Sequence, residues 1–192
     1  MFPLVADLRG RRVVVVGAGR VGADKATALL ECGARVTVIS EQVLAPLPDG
    51  LDQLLVRPYE TGDLAGALLV VAATANPAVN DAIVNEADQR GILVNVVDDL
   101  ARSTFHFTAN YRDGDVLVAV STAGASPALA QWVRNRVAAA LPSNLARVAR
   151  HLRRERALVH EAGQSTEHLA WARRVSELVG ETSGTDEAAP SS

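Results

Sequence analysis

The sequence contains one cysteine, Cys32, and one lysine, Lys25. A single cysteine excludes an internal disulfide and suits a reducing compartment. Cys32 falls inside an apolar helical pattern, which predicts a buried, inert thiol. With so little lysine, nearly all the positive charge is guanidinium, which suits carboxylates and phosphates held in fixed geometry, and equally a plain helix surface. No apolar run approaches the roughly 20 residues of a membrane span, and no signal-peptide pattern is seen. The expectation is a cytoplasmic protein with neither membrane nor nucleic acid as partner. There is no internal repeat. The four histidines, His106, His151, His160 and His168, lack metal-ligand spacing, so no metal site is expected. Net charge is -3 and unevenly placed. An arginine-rich stretch, "LARVARHLRRERALVHEAG", precedes "SELVGETSGTDEAAPSS", which carries four acids and no base. Residues 181–192 have the composition of a disordered tail.

What is present fits one full domain and a smaller second region: 192 residues, 48% of them apolar. "RRVVVVGAG" reads as a strand ending in glycines and "DKATALLECG" as a helix. "ARVTVIS", "LDQLLVRPY" and "ALLVVAAT" read as strands, "PAVNDAIVNEADQRG" as a helix, and "ILVNVVDD" as a fifth strand. Strands alternating with helices predict an α/β fold, a Rossmann-like parallel sheet covered on both faces, over residues 1–104. The pattern then changes. "FHFTANYRDGDVLVAVS" carries two β-rich runs around Asp113-Gly114, a hairpin signal. A helix follows, with Ser126 as its N-cap and Pro127 in its first position. The expected organisation is a hairpin-and-helix dimerisation region at 105–142 and a helical part at 143–180.

"VVVVGAGRVGADKA" holds Gly17, Gly19 and Gly22 in the spacing G-x-G-x-x-G. The spacing alone is weak evidence. Here it follows a strand and opens a helix, the context in which a pyrophosphate rests on free amides at the helix start. Gly17 permits the turn, Gly19 the close approach of the backbone, and Gly22 helix–strand packing. Arg20 and Val21 belong to the same turn. About 20 positions on, dinucleotide folds place an acid for the ribose hydroxyls. This chain has Ser40 there, followed by Glu41 and Gln42, and no arginine after Ser40 to meet a 2′-phosphate. NAD is therefore expected rather than NADP. Thr74 and Asn76, after the fourth strand, are expected near the cofactor, although Asn76 before Pro77 also fits a helix cap. At "VNVVDD", Asp98 and Asp99 follow an apolar strand at the edge where open α/β sheets bind ligands. From the residues alone, a cap and a catalytic base are both open.

The chain resembles the precorrin-2 dehydrogenase / sirohydrochlorin ferrochelatase family, including the N-terminal part of siroheme synthase. The resemblance runs from "FPLVADLRGRRVVVVGAGRVGADKATALLECGARVTVIS" through "AATANPAVNDAI" and "VNVVDD" to "VAVSTAGASPALAQWVRNRV", roughly residues 2 to 160 in consistent order. It implies NAD-dependent oxidation of precorrin-2 to sirohydrochlorin, with Fe2+ or Co2+ insertion as a further activity. It also implies a homodimer with its active site between subunits. The first aspartate of the motif, Asp98, is the catalytic carboxylate by resemblance, a base expected beside an apolar wall; Asp99 is then a cap. The carboxylate-rich tetrapyrrole calls for anion-binding groups, and Ser121, Thr122, Gly124 and Ser126 cluster at a helix start, with His106 a further candidate. Relatives commonly place a proline where this chain has Thr108, which alters the expected pocket shape. The alternative reading is a non-catalytic NAD-sensing module, which needs the glycine turn but not Asp98.

Overall fold

Five parallel strands form the sheet of the first unit, in the order β3-β2-β1-β4-β5. They are β1 (Arg12–Ala18), β2 (Arg35–Val43), β3 (Gln53–Leu55), β4 (Leu69–Ala72) and β5 (Leu93–Val96). Helix α1 (Arg20–Glu31) links β1 to β2, and α2 (Pro77–Arg90) links β4 to β5. In the computed structural model, residues 1–166 and 169–180 are described; His168 and the expected tail, 181–192, lie outside them. The chain divides into two compact units, Met1–His106 and Phe107–Ser192.

The valine run explains why β1 is central. Val13, Val14, Val15 and Val16 are all buried, because β2 and β4 flank the strand and helices cover both faces. Val14, Val16, Ile39, Val70, Ile83 and Val94 join one core. Each buried valine contributes on the order of 1.5 kcal/mol. The strand order reverses between β1 and β4, so the crevice at their C-terminal ends is where such sheets hold ligands.

Three expectations need correction. Helix α1 ends at Glu31, so Cys32 is its C-cap and is exposed, not a buried thiol. The third strand is only three residues long, because the chain leaves the sheet into the loop at 56–68. The strand through "ILVNVVDD" stops at Val96, and Asp98 sits in a turn with φ 59, a left-handed conformation that aspartate tolerates better than most residues.

In the second unit, β6 (Ala109–Asp113) and β7 (Val116–Val120) pair antiparallel around a two-residue turn at Gly114 and Asp115. Helix α3 (Pro127–Ala140) begins as the sequence predicts: Ser126 Oγ accepts the Leu129 amide at 3.2 Å, and Pro127 holds the first position. Helix α4 (Leu145–Glu161) is tied to the hairpin, its Ala146 amide donating to Asp113 Oδ2 at 2.9 Å. Helix α5 (Trp171–Gly180) docks on α4 through Arg174, which donates to Glu155 Oε1 at 2.9 Å.

Candidate functional site

Gly17 has φ 109, and a Cβ there would lie 2.4 Å from Ala73 O. It breaks the β1–β2 register and turns the chain into α1. A Cβ at Gly22 would lie 2.0 Å from Gly17 O, so helix and strand touch through backbone. Gly19 is different: it N-caps α1 with φ -79, and nothing lies within 4 Å of its virtual Cβ. It supplies no capping side chain, and the first turn contains no acid. Among the described residues, the amides of Arg20, Val21 and Gly22 have no protein acceptor. Three aimed N–H groups beside an open glycine fit a pyrophosphate.

A cavity of about 420 Å³ opens at this turn, lined on one side by Gly17, Ala18 and Gly19 and on others by Ser40, Glu41, Gln42, Thr74 and Asn76. These cofactor candidates are thus brought together. The side chains of Arg20 and Val21 point to solvent instead and do not line it, and Gly22 is buried beneath it. Ser40 is largely committed: its Oγ accepts the Ala18 amide at 3.1 Å and donates to Gln42 O at 2.7 Å. It closes the gap that the Gly17 irregularity leaves in the sheet. The exposed Glu41 and Gln42 are the polar side chains left at that lip. Thr74 donates to Asn80 Oδ1 at 2.9 Å, and Asn76 accepts the Ala78 amide at 3.0 Å as the N-cap of α2. The cap reading of Asn76 therefore holds alongside its place in the cavity wall.

The sequence reading missed a further wall. Arg57 and Tyr59, neither of them among the cofactor candidates, also line the cavity. Arg57 grips Asp63 with both terminal nitrogens, at 2.8 and 2.7 Å. Tyr59 donates to Glu86 Oε2 at 2.5 Å, and that carboxylate also accepts the Gly62 amide at 2.8 Å and the Leu64 amide at 3.3 Å. Arg90 pairs with it at 2.8 Å. Burial pushes the Glu86 carboxyl up, but the Tyr59 hydroxyl, the two amides and Arg90 outweigh it and hold it below its usual value. Burial, then the same hydrogen bond, pushes the Tyr59 phenol well up. No motif signals this set, because it depends on β3 lying beside β2 and on α2 folding over the loop.

Asp98 lies on the same edge of the sheet but does not line the cavity. The Val97 amide donates to Ala72 O at 3.0 Å, which places Asp98 one residue beyond the β4–β5 pairing. Its side chain is exposed, not set against an apolar wall, and has no hydrogen bond or ion pair among the described residues. Asp99 is occupied: it accepts the Arg102 amide at 3.1 Å and the Arg102 Nε at 2.7 Å, and that guanidinium holds its carboxyl below the usual range. The two aspartates thus differ in setting: Asp98 is exposed in a left-handed turn, and Asp99 is held by Arg102. Behind them the chain folds back over the free edge of β5. Ser103 Oγ accepts the Val96 amide at 2.9 Å, and Thr104 Oγ1 the Val94 amide at 2.8 Å, so two hydroxyls satisfy an edge that would otherwise be open.

In the second unit, Ser121, Thr122, Gly124 and Ser126 gather before α3. Ser121 Oγ accepts the Ala123 amide at 3.2 Å, and Thr122 Oγ1 donates to Ser126 O at 3.0 Å. Thr108 donates to Asn110 Oδ1 at 2.7 Å. His106 is half-buried at the end of the first unit. Among the described residues, no group of three or more His, Cys, Asp or Glu could hold a metal ion, and no helix is long and apolar enough to cross a membrane.

An NAD(P)-binding family model matches residues 4–109, and a model of the sirohaem biosynthesis protein central segment matches residues 113–140. The chain is 39% identical over 153 residues to siroheme synthase of Photorhabdus laumondii, covering 78% of this chain and 33% of that protein. It is 43% identical over 159 residues to siroheme synthase of Methylococcus capsulatus, covering 79% and 34%. The chain thus spans about a third of the length of these relatives. Among solved structures it is similar to SirC, precorrin-2 dehydrogenase, with TM-score 0.66 and 26% identity, over 94% of this chain and 88% of that one. By the residues matched, the chain belongs to the NAD(P)-binding family.

Proposed function

We propose that the protein oxidises precorrin-2 to sirohydrochlorin with NAD+ as acceptor. The observation that carries this reading is the likeness to the precorrin-2 dehydrogenase SirC over nearly the whole of both chains. The open glycine turn with its three unpaired amides supports the cofactor assignment. Bound there, the nicotinamide supplies a two-electron, hydride-accepting centre. The chain's own residues do the rest. The α1 amides hold the pyrophosphate, Glu41 and Gln42 meet the adenosine ribose, and Thr74 and Asn76 stand at the β4 side of the cavity. The oxidation removes a hydride and a proton, and Asp98 is the proton acceptor: a carboxylate on the ligand edge with no partner among the described residues to occupy it.

Ser121, Thr122, Gly124, Ser126 and His106 are proposed contacts for the substrate's carboxylates. A homodimer and a cytoplasmic location complete the reading. The same carboxylate accepts pyrrole protons if Fe2+ or Co2+ is inserted, the metal being substrate and not resident. The experiment is NADH formation from NAD+ and precorrin-2 by the purified chain. Binding of NAD+ without turnover would favour the sensing module.

A further inference from the structure

We propose that Asp63 decides which dinucleotide the cavity accepts, by keeping Arg57 from serving as a receptor for a 2′-phosphate. The inference rests on the cofactor reading above and deepens it. Arg57 and Asp63 follow β3, the neighbour of β2, and so stand beyond Ser40, Glu41 and Gln42 at the end where this fold holds the adenosine ribose. An arginine at that end is the group that accommodates the extra phosphate of NADP. This chain has one lining the cavity, yet it is already engaged. Its terminal nitrogens donate to both Asp63 oxygens and to Pro58 O at 2.9 Å, and Glu60 Oε2 is 3.9 Å away.

The grip is firm. The Asp63 side chain is only 12% exposed and also accepts the Glu60 amide at 2.9 Å, which fixes the turn. The Arg57 hydrogen bond holds its carboxyl below the usual range, so it is ionised at neutral pH. Asp63 and Glu60 place two carboxylates against one guanidinium, and Glu41 adds a third negative charge to the lining of the cavity. A dianionic phosphate would meet repulsion and would have to break a two-pronged pair; a ribose hydroxyl meets neither obstacle.

The test is calorimetric titration of the full chain with NAD+ and with NADP+, with thermal melting to check that each variant is folded. The wild type should bind NAD+ more tightly. Asp63→Asn keeps the shape and removes the charge, and should raise the ratio of NADP+ to NAD+ affinity by about ten-fold, the size of one charge-assisted hydrogen bond. Adding Arg57→Gln should abolish the gain. Glu60→Gln, at an exposed carboxylate, should move the ratio in the same direction by about three-fold, and decides the matter if Asp63→Asn does not fold. An unchanged ratio in the folded variants, or a gain that survives Arg57→Gln, overturns the proposal. A wild type that binds neither dinucleotide overturns the cofactor reading itself.

Discussion

Gly19 and Gly22 stand in the same motif and do different work. Gly22 has no room for any Cβ, because Gly17 O would be 2.0 Å away, whereas Gly19 faces open space. A charge at Gly22 would therefore damage the fold before it could report on a ligand, and Gly19 is the position to use. Gly19→Asp should fold normally, since aspartate caps a helix well and gains a few tenths of a kcal/mol over glycine. Its carboxylate would take the amides of Val21 or Gly22 for itself and repel a pyrophosphate. Titration should show NAD+ affinity lowered at least about ten-fold with an unchanged melting temperature. The glycine turn was legible in the sequence because its context, strand then helix, is local. Ser40 was only half legible: its position marks the end of β2, but its commitment to the Ala18 amide follows from an irregularity in the β1–β2 pairing. Cys32 was misread because the helical pattern runs one residue further than the helix does.

At the scale of elements, the loop between β3 and β4 contains no helix of its own, and Glu86 ties it to α2. Glu86 reaches from α2 to Tyr59, Gly62 and Leu64 and is only 3% exposed. Glu86→Gln loses the Arg90 pair and sets an amide hydrogen against a backbone donor, so it should cost about 1 to 3 kcal/mol in denaturant unfolding. The pH dependence follows from the depressed carboxyl. A group whose folded pKa lies below its ordinary 4.5 stabilises the fold above that value and loses its contribution as pH falls through the folded pKa. Wild-type stability should decline below about pH 4.5, and Glu86→Gln should flatten that part of the curve. The alternation of strands and helices made the parallel sheet legible, since most of the strand runs are continuously apolar and are separated by helical stretches. Tyr59, Glu86, Arg57 and Asp63 were not legible, because nothing in "RPYETGD" or "NEADQ" shows that the two stretches meet. The edge of β5 was hidden for the same reason: Ser103 and Thr104 look like an ordinary loop until the chain folds back on Val94 and Val96.

At the scale of the whole molecule, an NAD(P)-binding unit is followed by a hairpin-and-helix unit whose residues 113–140 match the model of the sirohaem biosynthesis central segment. In the second unit, α3 leaves Leu129 49% and Trp132 58% exposed, with the Arg136 guanidinium 5.3 Å from the indole centre. Large apolar side chains presented this way suit a partner of the same kind. Light scattering at micromolar concentration should give twice the chain mass, and Trp132→Glu should shift it toward the monomer. Asp98 is set apart from Asp99 by its left-handed turn and by having no hydrogen-bond or ion-pair partner among the described residues. The most direct measurement is NADH formation from precorrin-2 by Asp98→Ala and Asp99→Ala under matched conditions. Asp98→Ala should bind NAD+ normally and lose on the order of 10² to 10⁴ in rate, while Asp99→Ala should turn over and lose about 1 kcal/mol of stability. Normal turnover by Asp98→Ala would contradict the account.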